Sequence, residues 1–286
     1  MKKLKTSLIF LFFFILNGST LFAQYTEKYR PQFHFSPKSG WIGDPDGLVR
    51  YNNTYHLFWW GHATSKDLVY WTEMPYPMKG GDGSFSYFTG SAVVDFNNSG
   101  NFATGLSPAM VAIYTMSNNT TGYQTQGLSI SNDYTNFQYY SGNPVIDIRS
   151  KDFRDPAVFW NKSSQKWIMA IAMAVDRKVR FYSSSDLKKW QFLSDFGPLG
   201  VREQVWEVPD LIQLPVDDNP NKKKWVLICG MGPNKTQYFI GSFDGNSFTM
   251  DADDDAWLRR GVGLEGDLFA NFEQTTYGAW TTEGSA

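Results

Sequence analysis

Ser65-Lys66-Asp67-Leu68-Val69-Tyr70-Trp71 sets a pattern that returns three more times along the chain. Ser131, Asp133 and Phe137 follow it, as do Ser184, Asp186 and Trp190, and then Ser242, Asp244 and Phe248. The pattern is Ser-x-Asp with an aromatic residue four positions after the Asp, and it recurs every 53–66 residues. Ser and Asp side chains bond to nearby backbone, so the polar part reads as a turn and the aromatic falls in the strand that follows. Self-similarity at such a period marks an array of like structural units.

Upstream of each turn sits a hairpin. Gly47 to Tyr51 and Tyr55 to Phe58 flank Asn52-Asn53 in the first unit. Ala157 to Trp160 pairs with Trp167 to Ala170 in the third, and Leu211 to Leu214 with Trp225 to Ile228 in the fourth. The second unit is less regular, with Ala92 to Asp95 and Met110 to Ile113. Short runs of β-branched and aromatic residues between Gly, Asn, Asp and Ser clusters predict an all-β fold. About four strands per unit, repeated at this length, predict a β-propeller. A β-sandwich is the competing architecture, but it does not require the fixed spacing and residue type.

Acids stand at the mouth of the presumed innermost strand in three of the four units, each near a Pro. They are Asp44 in Trp41-Ile42-Gly43-Asp44-Pro45-Asp46-Gly47, Asp155 in Phe153-Arg154-Asp155-Pro156, and Glu207 in Trp206-Glu207-Val208-Pro209-Asp210. Innermost strands line a propeller's axis, so Asp44, Asp155 and Glu207 are expected around one funnel. Any one of these acids alone reads better as a tight turn at a strand mouth. Three in register with a repeat point to chemistry. Carboxylates brought together repel, which raises at least one pKa. One charged and one protonated carboxyl is what acid/base work at a glycosidic bond needs. Arg154, beside Asp155, is placed to keep that acid ionised.

Composition narrows the field further. The net charge of −2 with 19% charged residues gives no electrostatic reason to expect nucleic acid or an anionic membrane as partner. Aromatics reach 17%, including 11 Trp, and most of them are assigned to the core. Lys2, Lys3 and Lys5 ahead of the apolar run Leu8 to Leu16 read as a secretory signal peptide over 1–23, with cleavage near Ala23. A secreted or periplasmic protein, with no membrane association after cleavage, is therefore expected. Cys229 is the single Cys, which excludes an intramolecular disulfide. The 3 His show no metal-ligand spacing, so neither metal nor cofactor is expected. The expected organisation is a propeller over 29–250, followed over 251–286 by a solvated linker and the opening of a further, truncated β module.

These segments resemble glycoside hydrolase family 32, from about Tyr29 to about Thr249. Trp41 to Gly47 is similar to the family's Trp-Met-Asn-Asp-Pro-Asn-Gly motif, Phe153 to Pro156 to its Arg-Asp-Pro motif, and Trp206 to Leu211 to its Trp-Glu-Cys-Pro-Asp-Leu motif. Phe88-Thr89-Gly90-Ser91-Ala92 is similar to its Phe-Ser-Gly-Ser-Ala stretch. The resemblance implies a five-bladed propeller, of which about four blades are present, and cleavage of β-fructofuranosidic bonds in levan, inulin or sucrose. It implies Asp44 as nucleophile, Asp155 as transition-state stabiliser and Glu207 as acid/base. Trp41, Trp60, Phe88, Thr89 and Arg154 become candidate substrate-binding residues.

The chain departs from that pattern in places. Gly43 and Asp46 replace two Asn, and Asp46 adds a negative charge near Asp44. Val208 replaces Cys. The run Phe58-Trp59-Trp60-Gly61-His62-Ala63 lacks the usual insertion, so Trp60 could line the pocket or join the core. Two other functions compete: a related five-bladed arabinosidase or xylosidase, and a non-catalytic fructan-binding remnant.

Overall fold

The computed structural model describes residues 27–31, 34–59, 61–78, 83–232 and 235–251. The expected signal peptide, Trp60 and the stretch 252–286 lie outside the described residues. Within them the fold is all-β, as expected. The first sheet runs β1 (Gly47–Tyr51), β2 (Thr54–Phe58), β3 (His62–Ser65) and β4 (Trp71–Met74). The second runs β5 (Phe85–Val94), β6 (Met110–Asn118), β7 (Gln124–Ser131) and β8 (Gln138–Tyr139), and β9 (Ile146–Ser150) also pairs with β7. The third runs β10 (Phe153–Asn161), β11 (Lys166–Met173), β12 (Lys178–Ser184) and β13 (Gln191–Phe196). The fourth runs β14 (Trp206–Val216), β15 (Asn219–Met231), β16 (Lys235–Phe243) and β17 (Phe248–Met250).

Every sheet is an antiparallel meander in chain order, which is the construction of a propeller blade. The first strands lie side by side in the order β1, β5, β10, β14 and so line a common axis. Apolar clusters fill the three interfaces between successive blades. Phe58, Val94 and Met110 join the first to the second; Ile113, Leu128, Val158 and Met169 join the second to the third; Phe181, Trp206, Leu227 and Phe239 join the third to the fourth.

The repeated turn has one geometry. The carboxylate of Asp67 accepts the N–H groups of Val69 and Tyr70, Asp133 those of Thr135 and Asn136, Asp186 those of Lys188 and Lys189, and Asp244 those of Asn246 and Ser247. Those bonds hold the Asp133 carboxyl well below the usual carboxylate range, and those of the other three below it as well. The residue after each Asp has positive φ: Leu68 at 67°, Tyr134 at 63°, Leu187 at 62° and Gly245 at 98°. The Asp carboxylate thus compensates a left-handed residue that Leu and Tyr would otherwise avoid. Trp71 and Trp190 tie the turn down by donating their indole N–H to the carbonyls of Leu68 and Leu187. Two details differ from expectation. Phe137 and Trp190 stand one residue ahead of their strands, and β9 adds a fifth strand to the second blade.

Because β1, β5, β10 and β14 run away from the acids, all four Ser-x-Asp turns lie on the face opposite them. The turns are scaffold, and the functional groups collect at the other end.

Candidate active site

At that other end a funnel of about 1250 Å³ opens between the blades. Asp44, Asp155 and Glu207 all line it, together with Trp41, Phe88, Thr89 and Arg154. The first blade supplies Asp44 from the segment before β1. The third and fourth supply Asp155 and Glu207 from inside their inner strands, at the third residue of β10 and the second of β14. Both strands bulge there, with register breaks between Arg154 and Ala157 and between Glu207 and Asp210. β5 breaks register in the same way between Phe88 and Gly90, and the bulge presents Thr89. Gly90 is required at this bulge: a Cβ there would sit 2.0 Å from the Ile113 carbonyl oxygen. Bulges of this kind re-aim side chains, here from the sheet face into the funnel.

The acids are individually held. Thr89 Oγ1 donates to Asp44 Oδ2 at 2.8 Å. Arg154 donates from Nε and Nη2 to Glu207 Oε1, each at 2.9 Å. The backbone N–H of Val208 donates to Asp155 Oδ2 at 3.0 Å. Asp155 is 6% exposed, and this burial pushes its carboxyl up to about 6. The Val208 N–H and the Arg154 charge pull it down, while the negative charges of Glu207 and Asp44 push it further up. The expected repulsion among converging carboxylates is therefore present, but one expectation needs correcting. Arg154 gives its guanidinium to Glu207 rather than to its neighbour, so burial wins at Asp155. Asp46 lines a separate cavity of about 40 Å³ beside Phe58 and Phe88, not the funnel.

A raised carboxyl is a stability cost at neutral pH. An ordinary Asp titrates near ~3.9, so the difference is worth on the order of 3 kcal/mol once both states are ionised. Below about pH 4 neither state pays it; above about pH 6 the folded state pays it in full. Asp155→Asn is accordingly expected to raise the melting temperature at pH 8 and to lose that advantage by about pH 3.5. A Tm difference that stays constant across this range would show that Asp155 titrates like an exposed carboxyl.

Several funnel residues escaped the sequence reading. Tyr87, Gln124, Lys151, Asp152, Met231, Lys235 and Thr236 line it too. Gln124 and Lys235 begin the third strands of their blades, and an argument about axis-lining first strands does not select them. Two of the His also meet: His56 Nδ1 lies 3.1 Å from His62 Nε2 inside the first blade, and burial lowers His62 to about 4. That pair belongs to the core, not the funnel. Among the described residues no group of three or more His, Cys, Asp or Glu side chains is placed to hold a metal ion.

Three blades of one propeller thus send a carboxyl each into a single funnel. Residues 34–279 match the family described as glycosyl hydrolases family 32, N-terminal domain, and the chain belongs to that family. It is 45% identical over 249 residues to a levanase of Bacillus subtilis, covering 78% of this chain and 36% of that one. The crystal structure of exo-inulinase from Aspergillus awamori superposes with a TM-score of 0.75 at 38% identity, covering 80% of this chain and 53% of that one. The structure of β-fructofuranosidase from Schwanniomyces occidentalis complexed with fructosyl-erythritol gives 0.73 at 36% identity, covering 78% and 48%. The chain thus spans about half or less of the length of these relatives.

Proposed function

We propose that this chain carries the catalytic funnel of a retaining hydrolase of β-fructofuranosidic bonds. One observation carries the reading above the others: Asp44, Asp155 and Glu207 line the same funnel from three different blades. Asp44 is the nucleophile and attacks the anomeric carbon, its second oxygen fixed by Thr89. Glu207 protonates the leaving oxygen and then activates the water that frees fructose. Arg154 occupies Oε1 of Glu207, so the proton in transit is carried on Oε2, which faces Gly232. Asp155 bonds the fructose hydroxyls as the transition state forms. Such a mechanism places the two reacting carboxyls ~5–5.5 Å apart. Trp41, 74% exposed at the funnel rim, and Phe88 offer apolar surface to the sugar.

Fructans are the proposed substrates ahead of sucrose, because the run from Phe58 to Ala63 lacks an insertion that would narrow the funnel. The matched levanase and exo-inulinase bear fructan-related names, which supports this preference. Export through the 1–23 leader is part of the proposal, supported by Aspergillus relatives that are named extracellular. The test is product analysis on levan, inulin, sucrose and an aryl arabinofuranoside. Fructose release, fastest from a fructan, is expected. Release of arabinose, or fructan binding without any hydrolysis, would sink the assignment, and sucrose as the best substrate would sink the fructan preference.

A further inference from the structure

Asp155 occupies a backbone conformation that its own sequence disfavours. Its φ is +64°, a left-handed value, and the next residue is Pro156, which pushes the residue before it towards extended backbone. Such a conformation persists only where the surroundings over-determine it. Those surroundings come from the second blade. Thr115 of β6 and Gln126 of β7 are cross-strand partners, and both are fully buried. Thr115 Oγ1 accepts the N–H of Asp155 at 2.9 Å and donates its single proton to Gln126 Oε1, also at 2.9 Å. Gln126 Nε2 donates to the carbonyl of Phe153 at 2.8 Å. Gln124, two residues along β7, accepts the N–H of Phe153 at 2.9 Å. Three side chains of one blade thus clamp the backbone of the acid-bearing corner of the next. Asp155 in turn accepts the N–H of Val208, which has φ +42° ahead of Pro209 and directly follows Glu207. A hydroxyl in the second blade therefore leads, through two strained corners, to the acids of the third and fourth.

We infer that Thr115, backed by Gln126, is a positioning residue that fixes the Asp155 carboxyl in the funnel. The inference rests on the reading of Asp155 as a substrate-contacting group and goes beyond it. Nothing but Thr115 is bonded to the Asp155 N–H along this path, and the hydroxyl has no rotational freedom left. It has one proton, which Gln126 takes, and the Gln126 amide is oriented by Phe153. Replacing the hydroxyl with a methyl of the same shape leaves a buried N–H and a buried amide oxygen unpaired, and the corner then relaxes towards the extended backbone that Pro156 favours.

The experiment compares Thr115→Val, Thr115→Ser, Asp155→Asn and the double variant Thr115→Val/Asp155→Asn with the parent chain. It reads kcat and KM on sucrose together with amide hydrogen exchange. Thr115→Val is expected to lower kcat/KM about 10²-fold, the scale of a small misplacement of a reacting group, with most of the loss in kcat. Thr115→Ser keeps the hydroxyl and restores most of the rate. In the Asp155→Asn background Thr115→Val adds no further loss, because both changes act through one carboxyl. Exchange at the Asp155 and Val208 amides accelerates in Thr115→Val and not in Thr115→Ser. This readout requires no turnover. Unchanged exchange at Asp155, a Ser variant as impaired as the Val variant, or an undiminished Val effect in the Asp155→Asn background overturns the inference. Parent-like rates in Asp155→Asn instead overturn the reading of Asp155 itself.

Discussion

Glu207→Gln is expected to lower kcat on sucrose or a fructan by about 10²–10⁴-fold, the range that general acid/base groups contribute. The substitution is nearly isosteric, and a Gln Oε1 still accepts from the Arg154 guanidinium that now holds Glu207. What disappears is the transferable proton. The loss should therefore depend on the leaving group. An aryl fructoside, whose phenolate departs without protonation, should be cleaved in its first step with much less impairment than sucrose. Asp44→Asn is expected to behave differently: with Asp44 as the proposed nucleophile the loss does not depend on what leaves, and both substrates should fail together. Steady-state and burst kinetics on the two substrates separate these cases. Equal impairment of the first step for both substrates by Glu207→Gln would remove Glu207 from the role of proton donor, and a parent-like rate would remove it from the reaction.

Asp44 and Glu207 line one funnel because the sequence repeats. Ser-x-Asp turns and the hairpins ahead of them were legible because they depend on local chemistry: a carboxylate within reach of two backbone N–H groups and a left-handed residue between them. The strand order followed from that. The acids were legible because each precedes a Pro at the head of an inner strand, where a bulge can aim it. The remainder of the site depends on contacts between blades, which carry no local signature. Thr115 and Gln126 read as ordinary strand residues until β10 is packed against β6 and β7. Arg154 is adjacent to Asp155 in sequence, yet its long side chain reaches Glu207 in the next blade. Sequence proximity was a poor guide in each of these cases because long or re-aimed side chains choose partners by space.

Trp206→Ala is the substitution expected to cost the most stability. Trp206 is fully buried at the interface between the third and fourth blades, with the Phe239 ring 5.8 Å away. Its indole N–H donates to the Val201 carbonyl at 2.8 Å, and its backbone N–H donates to the Ala174 carbonyl of the neighbouring blade at 3.1 Å. The fit is tight on the far side as well, since a Cβ at Gly197 would lie 3.0 Å from the ring. Truncation to Ala leaves a cavity and an unpaired buried carbonyl, at a cost of about 3–5 kcal/mol. For a domain of this size that corresponds to a fall of roughly 6–20 °C in Tm. Trp206→Phe should fall between the two, because it keeps most of the ring volume and loses the hydrogen bond. Thermal unfolding followed by circular dichroism measures both, and a Tm shift under about 2 °C for the Ala variant would mean that this interface does not hold the fourth blade. The consequence reaches the site. Trp206 is the residue before Glu207, so the wedge that locks the fourth blade to the third also sets where the Glu207 side chain starts. Activity in Trp206→Phe, measured well below its Tm, should therefore fall while folding is intact, because the Glu207 carboxyl loses the fixed backbone from which it projects.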